Sequence, residues 1–77
     1  MPCRVGITSD PARRRSEWES SVVGFRNWRI IGTHQTREQA QQHEEQYARQ
    51  HGCQASNGGH NTKGPWHEYH FDYVRNR

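Results

Sequence analysis

Apolar and polar residues alternate in three segments of the chain, which predicts three β-strands. Residues 3–8 hold a valine and an isoleucine two positions apart, and residues 25–33 hold a tryptophan and two isoleucines. Residues 66–74 alternate tyrosine and phenylalanine against histidine and aspartate. A period of two places successive side chains on opposite faces of a strand. We expect the last segment to be a half-buried strand.

Two segments between these strands carry helix signals. The Asp-Pro pair at residues 10–11 supplies a good N-cap and a good first helical residue, so a helix is predicted from there to about residue 20. A capping box at residues 36–39 begins a second helix, which should end at residue 51, before Gly52. Residues 53–65 are rich in Gly, Asn, Ser and His and should form a loop.

The predicted element order is β-α-β-α-β within a single domain over residues 1–77. A chain of this length is too short for two hydrophobic cores. Helices that connect successive strands favour parallel pairing, with the helices packed on the sheet. We therefore expect a small α/β (α+β) fold with a three-stranded sheet and two main helices.

The composition indicates that aromatic residues must form much of the core. Leu is absent, and Ile, Val and Phe together number nine, a low value at which disorder has to be considered. However, the net charge is only +3, and eight residues are Trp, Tyr or Phe. Each aromatic side chain buries roughly 150–250 Å². We expect a folded domain of marginal stability, and a homodimer is one way to cover its remaining apolar surface.

The chain shows no sign of membrane insertion or secretion. No apolar run approaches the ~20 residues of a membrane-spanning helix, and the N-terminus lacks the apolar stretch of a signal peptide. We therefore expect a cytoplasmic protein. In that compartment Cys3 and Cys53 are most simply two buried thiols, with one disulfide as the alternative.

The positive charge of the chain is carried almost entirely by arginine, which accounts for ten of the eleven basic residues. Arg presents a planar fork of donors that suits phosphate oxygens, which favours a nucleic-acid partner. A codon bias towards Arg is the simpler alternative. Residues 13–15 are three consecutive arginines early in the first helix. Because successive helical residues point about 100° apart, only one or two of them can face the sheet.

The second helix has one apolar stripe at helical spacing. Its members are Ala40, Glu44, Tyr47, Ala48 and His51. Glu44 lies in the middle of this stripe, and a buried carboxylate is costly unless it is paired or bound to a metal. Two interpretations remain open. Glu44 pairs with an arginine, for example from the first helix, or it binds an ion such as Mg²⁺, which needs only one or two carboxylates.

Six histidines raise the question of a zinc site, but their spacing argues against one. His67 and His70 face opposite sides of a strand, and His43 and His51 are too far apart on a helix to share an ion. No CxxC pair adds ligands. A single histidine could still act as a general base near neutral pH. The candidates are His34, His60 and His67.

Taken together, these clusters resemble the GIY-YIG nuclease family. The valine-glycine strand end at residues 5–6 is similar to the second half of the family signature, in which an inward arginine lies eight residues after the glycine. Arg14 has that position here. The family's metal-binding glutamate on a later helix corresponds to Glu44, and its Asn-Gly after that helix corresponds to Asn57. The resemblance covers roughly residues 4–58.

Two parts of the family pattern differ in this chain. The Gly-Ile-Tyr strand that precedes the signature is missing, and Arg4 stands where the second motif has tyrosine. The strand predicted over residues 66–74 could take the missing place in the sheet. The chain would then resemble a circularly permuted GIY-YIG fold, with Tyr69 or Tyr73 supplying the phenol.

The resemblance implies an endonuclease-like domain that hydrolyses DNA phosphodiester bonds with one Mg²⁺ or Mn²⁺ ion. Glu44 would hold the ion, and Arg14 would neutralise charge on the phosphoryl oxygens. Tyr69 or Tyr73 would accept the proton of the attacking water, and Asn57 would lie near the phosphate. Further contacts to the nucleic-acid backbone would come from Arg4, Arg13, Arg15 and Lys63.

Two other functions remain open. The first is a catalytically inactive nucleic-acid-binding module on the same scaffold. The second is a small protein-interaction domain in which Trp18, Trp28 and Trp66 contact a partner.

Overall fold

The computed structural model describes residues 2–56 and 65–77. In this part of the chain the elements are β1 (Cys3–Thr8), α1 (Pro11–Ser21), β2 (Val22–Val23), β3 (Arg26–His34), α2 (Arg37–His51), β4 (Gln54–Ser56), β5 (Trp66–Asp72) and β6 (Arg75–Asn76). The α+β class and all five predicted elements are confirmed, with bounds that agree within two residues. Neither described helix has the length and apolarity needed to cross a membrane.

The main sheet differs from the predicted three-stranded, parallel arrangement. It has four strands in the order β3-β5-β1-β4, and β5 is antiparallel to both of its neighbours. Within the described residues, only β1 and β4 pair in parallel. The prediction was wrong because β1 and β3 run in the same direction but are not neighbours. The late strand β5 lies between them and runs the opposite way.

A second, two-stranded sheet joins β2 to β6. Val22 pairs with Asn76 and Val23 with Arg75, so the end of α1 is tied to the C-terminal residues. These strands and β4 have only two or three residues each, too few for an alternating pattern to reveal them.

The predicted helix ends are confirmed by their caps. The side chain of Asp10 accepts a hydrogen bond from the backbone N–H of Arg13 at 3.2 Å. The hydroxyl of Thr36 accepts one from the N–H of Gln39, also at 3.2 Å. Gly52 ends α2 in the left-handed conformation (φ +66°), which glycine adopts without steric cost.

Each helix covers a different face of the main sheet. Trp18 of α1 packs on Phe71, with ring centroids 5.2 Å apart, and His43 of α2 contacts Glu68 at 2.6 Å. Since odd- and even-numbered residues of β5 point to opposite sides, we call these the α1 face and the α2 face. The prediction that this strand is half-buried was wrong, because β5 is covered on both faces.

The α1 face holds the main hydrophobic core. Its buried members are Val22, Tyr69, Phe71 and Tyr73, and Trp18, Phe25 and Trp28 pack against them. Phe25 lies 5.0 Å from Phe71, and Trp28 stacks on Tyr69 at 4.7 Å between ring centroids. The prediction that aromatic rings form much of the core is confirmed. The cluster on the α2 face is smaller and comprises Ile7, Ala40 and Trp66.

A disulfide joins Cys3 to Cys53. The expectation of two buried thiols was therefore wrong. The parallel pairing of β1 with β4 sets Arg4 opposite Gln54, so the preceding residues of both strands become neighbours with Cα atoms 4.9 Å apart. This register joins positions that are 50 residues apart in the sequence, and no local pattern reveals it.

Candidate functional site

The α2 face buries two carboxylates. Glu68 projects from β5 and Glu44 from α2, and each is 0% exposed. Both carboxylate oxygens of Glu44, and Oε2 of Glu68, lack a hydrogen-bond partner among the described residues. A buried carboxylate in this condition needs either a proton or a cation to offset its lost hydration.

The stripe on α2 correctly predicted that Glu44 is buried, but its expected arginine partner is not found among the described residues. Arg14 of the first helix instead lies 3.5 Å from Glu17 of the same helix. Burial raises the pKa of Glu44 to about 8, the charge of Glu68 adds to this effect, and Arg37 opposes it. Without a cation, Glu44 therefore carries a proton at neutral pH.

Two histidines converge on Glu68. Nδ1 of His43 lies 2.6 Å from Oε1 of Glu68, and Nε2 of His34 lies 3.2 Å from the same oxygen. These three atoms all lie within 4.8 Å of one another. Gly32 pairs with Glu68 across the ladder, and a Cβ at Gly32 would lie 3.4 Å from His34 Nε2. This is an ordinary contact distance, so position 32 lies directly beside the imidazole and the carboxylate.

On the opposite face, Tyr69 occupies a tightly enclosed position. Its hydroxyl oxygen accepts a hydrogen bond from the indole N–H of Trp18 at 2.8 Å, and its ring lies against Gly6, where an added Cβ would clash. Burial raises the pKa of Tyr69, and Glu44 also raises it, whereas the Trp18 hydrogen bond and Arg14 lower it. Arg14 and Glu44 thus act on this phenol from opposite faces of the sheet.

The other predicted aromatic and basic residues lie mainly around α1. Tyr73 is buried in the aromatic core. The guanidinium of Arg4 lies 4.9 Å above the ring of Trp18 and donates a hydrogen bond to Ser56 at 2.9 Å. Asn57 and Lys63 lie outside the described residues, as does His60.

The three consecutive arginines of α1 differ in exposure, as their helical spacing predicts. Arg13 and Arg15 are exposed and pair with Glu17 and Glu19, whereas the side chain of Arg14 is 31% exposed. An open groove of about 670 Å³ runs beside Arg14. It is lined by Arg14, Ser16, Glu17, Trp18, Ser20 and Ser21. The hydroxyls of Ser20 and Ser21 donate to backbone carbonyls of their own helix, so the guanidinium of Arg14 is the main donor that the groove offers to a phosphate oxygen.

A second polar cluster lies on the α2 face near the disulfide. His70 is 2.9 Å from the hydroxyl of Tyr47 and 2.9 Å from the guanidinium of Arg29. Its Nε2 lies 3.6 Å from Sγ of Cys53. Burial lowers the pKa of His70, and Arg29 lowers it further, so the ring is held in its neutral form.

Sequence reasoning identified Glu44 but missed the group formed by His34, His43 and Glu68. These residues come from β3, α2 and β5, and only the sheet order brings them together. The one available signal was the alternation of β5, which predicts that Glu68 points away from the face that holds Tyr69.

We compared the chain with protein-family models, with curated proteins and with solved structures, and none of them matches it.

Proposed function

We propose that this chain is a GIY-YIG-like domain that hydrolyses phosphodiester bonds of DNA with the help of a divalent metal ion. The observation that carries the proposal is the state of Glu44. Its carboxylate is completely buried with both oxygens unpartnered, and it lies within electrostatic reach of the phenol of Tyr69, as does Arg14.

The position of β5 supports the resemblance to a circularly permuted GIY-YIG fold. This strand lies between β1 and β3, where a strand preceding β1 would be needed in the family order. It sets Tyr69 directly opposite Gly6 in the ladder. Tyr69 would thus supply the phenol that the family has on its first strand.

The residues present fit the expected ion. Magnesium and manganese prefer oxygen ligands, and Glu44 offers two unpartnered carboxylate oxygens, with the unpartnered Oε2 of Glu68 on the same face. When bound, the ion would polarise a phosphoryl oxygen and stabilise the leaving oxygen. Glu44 would hold it, and its positive charge would keep Glu44 ionised.

The arginines and tyrosines would then have separate roles. Arg14, half-exposed at the groove on the α1 face, lies across the sheet from Glu44, so it would bind a phosphate next to the one at the ion and hold the DNA backbone in place. Because burial raises the pKa of Tyr69, its phenol keeps its proton at neutral pH. Tyr69 and the equally buried Tyr73 would therefore position Arg4, Arg14 and Trp18 rather than accept a proton from water.

Plasmid cleavage tests this proposal. Supercoiled DNA is incubated with the protein and Mg²⁺ or Mn²⁺, and chelator is added to a parallel reaction. Glu44→Gln should lower the cleavage rate by about 100-fold or more, whereas Arg14→Ala should act mainly by weakening DNA binding. Glu38→Gln and Arg49→Ala change exposed residues of α2 that have no assigned role and should leave the rate unchanged. Failure of the wild type to cleave with either ion, or equal rates in all variants, would contradict the proposal.

Binding of nucleic acid without cleavage is the second candidate function. The burial of Tyr69 and Tyr73 favours it, because neither phenol reaches solvent as a proton acceptor must. In this case the affinity for DNA should fall steeply with salt, and Arg13→Ala and Arg15→Ala should reduce the slope. The structure offers no support for a protein-interaction role of the three tryptophans, because Trp66 is buried and Trp18 and Trp28 pack in the core.

The expected homodimer and cytoplasmic location are part of this proposal and need their own tests. Ile30 and Val74 are the large apolar residues exposed in the described part of the chain, and sedimentation would show whether they mediate self-association. Disulfides are rare in the cytoplasm. Counting the free thiols of Cys3 and Cys53 after rapid blocking in cells would therefore test the location.

A further inference from the structure

We propose that His34, His43 and Glu68 form a binding site for a divalent transition-metal ion of the zinc type. The three side chains come from three different elements, and their ligand atoms lie within 4.8 Å of one another. This inference does not depend on nuclease activity, since the ion would bind whether or not the chain cleaves DNA.

The distances between the three ligand atoms suit a small ion. Zinc bonds of about 2.0–2.2 Å in tetrahedral geometry set neighbouring ligand atoms about 3.3–3.5 Å apart. His34 Nε2 is already 3.2 Å from Oε1 of Glu68, and His43 Nδ1 is 2.6 Å from it. The hydrogen-bonded contact with His43 would have to open by less than 1 Å. The side chain of His43 is 47% exposed, so a rotation of its imidazole is the movement that would open this contact.

Burial makes Glu68 the fixed ligand of the site. It is 0% exposed and lies on the central strand, paired on one side with Ile7 and on the other with Gly32. Its second oxygen, Oε2, has no partner in the described residues. An unpartnered carboxylate oxygen at this depth is an independent sign that a positive group is missing from its surroundings.

The histidines leave one side of the site open. The side chain of His34 is 19% exposed and that of His43 is 47% exposed, so an ion could enter past His43. Three protein ligands with one open position are typical of zinc sites that also bind water or a substrate. Two imidazole nitrogens and one carboxylate favour zinc, cobalt or nickel over magnesium, which prefers oxygen ligands. Glu44 lies on the same helix as His43 but outside this group of three.

Metal titration of the full, oxidised chain tests the site directly. Zn²⁺ binding is measured by calorimetry, and Co²⁺ is used as a coloured substitute whose visible absorption reports nitrogen and oxygen ligands. We expect one ion per chain and no displacement by Mg²⁺. His34→Ala, His43→Ala and Glu68→Gln should each weaken binding by about 100-fold.

Two matched controls locate the ion. His51→Ala removes an exposed histidine from the same helix as His43, and His67→Ala removes the neighbour of Glu68 on β5 that points to the other face. Neither should change the affinity by more than about twofold. Glu68→Gln could prevent folding because the residue is buried, so circular dichroism is recorded for every variant. His43→Ala, at a half-exposed position, provides the decisive measurement.

Three results would overturn the proposal. The first is the absence of one-to-one binding to the wild type. The second is an affinity that His43→Ala leaves unchanged in a folded protein. The third is binding that occurs only after Cys3 and Cys53 are reduced, because the thiols and the adjacent His70 would then be the ligands. Metal binding without plasmid cleavage would support this site while contradicting the nuclease proposal.

Discussion

The two faces of the main sheet share the strand β5 but differ in how their side chains are stabilised. On the α1 face, Tyr69 and Phe71 pack among other aromatic rings, and the phenol of Tyr69 has a hydrogen-bond partner. On the α2 face, Glu68 and the nearby Glu44 are equally buried but keep unpartnered oxygens. The alternation of a single strand thus separates a face that provides stability from a face that carries unsatisfied charge.

The α2 face therefore needs other means of support. Its buried apolar cluster contains Ile7, Ala40 and Trp66, and the Cys3–Cys53 disulfide links β1 to the start of β4. A covalent link stabilises a fold mainly by restricting the unfolded chain, so it requires no apolar area. The comparison suggests that this face tolerates polar and charged groups because the α1 face and the disulfide hold the structure together. Four predictions test this comparison.

The largest effect should come from pH, and it should originate on the α2 face. The pKa of Glu44 rises from 4.5 to about 8 on folding, so the folded state binds more protons between these values. Its contribution to stability is fully present below pH 4.5 and is lost as the pH rises to about 8. The loss is at most about 1.4 kcal/mol per pH unit, or about 5 kcal/mol in all.

Urea denaturation in chelator at several pH values measures this loss. Glu44→Gln should flatten the decline in the free energy of unfolding, because the amide does not ionise. Glu38→Gln, at an exposed position of the same helix, should leave the decline unchanged. If the free energy of unfolding declines equally with pH in the wild type and in Glu44→Gln, another group causes the decline, and the unpartnered carboxyl does not weaken the α2 face.

On the α1 face, Phe71→Ala should lower the free energy of unfolding by about 4 kcal/mol. Phe71 is completely buried and contacts the rings of Trp18 and Phe25, so its loss leaves a cavity in the main core. Ile30→Ala, at a position that is 43% exposed, should cost less than about 1 kcal/mol. Similar losses in the two variants, measured by urea denaturation, would show that this face is not the main source of stability.

Removal of the disulfide should have the next largest effect. The double variant Cys3→Ser with Cys53→Ser should lose about 3 kcal/mol, because a link between residues 50 apart strongly restricts the unfolded chain. Thermal unfolding checks this loss, and reduction of the wild type should lower the melting temperature by a similar amount. An unchanged melting temperature would mean that the α2 face does not depend on the link.

The smallest effect should come from the hydrogen bond on the α1 face. Trp18→Phe removes the donor to the phenol of Tyr69 and should cost about 1–2 kcal/mol. Tyr69→Phe removes the acceptor, and the two changes in one chain should cost less than their sum. Additive losses in this double-mutant cycle, followed by urea denaturation, would show that the bond contributes nothing to stability.

The predictable features were those whose signals lie within a few residues. Asp10 and Thr36 cap the two helices, and the stripe on α2 identified Glu44 as buried. The order of the strands could not be predicted, because nothing near residues 66–72 indicates that they separate β1 from β3. The Cys3–Cys53 link follows from the same long-range register, and so do the contacts of His34 and His43 with Glu68.

The central place of β5 also has a consequence for biosynthesis. The ribosome makes this strand after every other strand of the main sheet, yet both β1 and β3 pair with it. Until residues 66–72 have left the exit tunnel, β3 lacks its partner in the main sheet, β1 has only the short strand β4 beside it, and the aromatic core lacks Tyr69 and Phe71. Stable tertiary structure must therefore arise late in translation, and nascent chains that stop short of this strand should remain targets for chaperones and proteases.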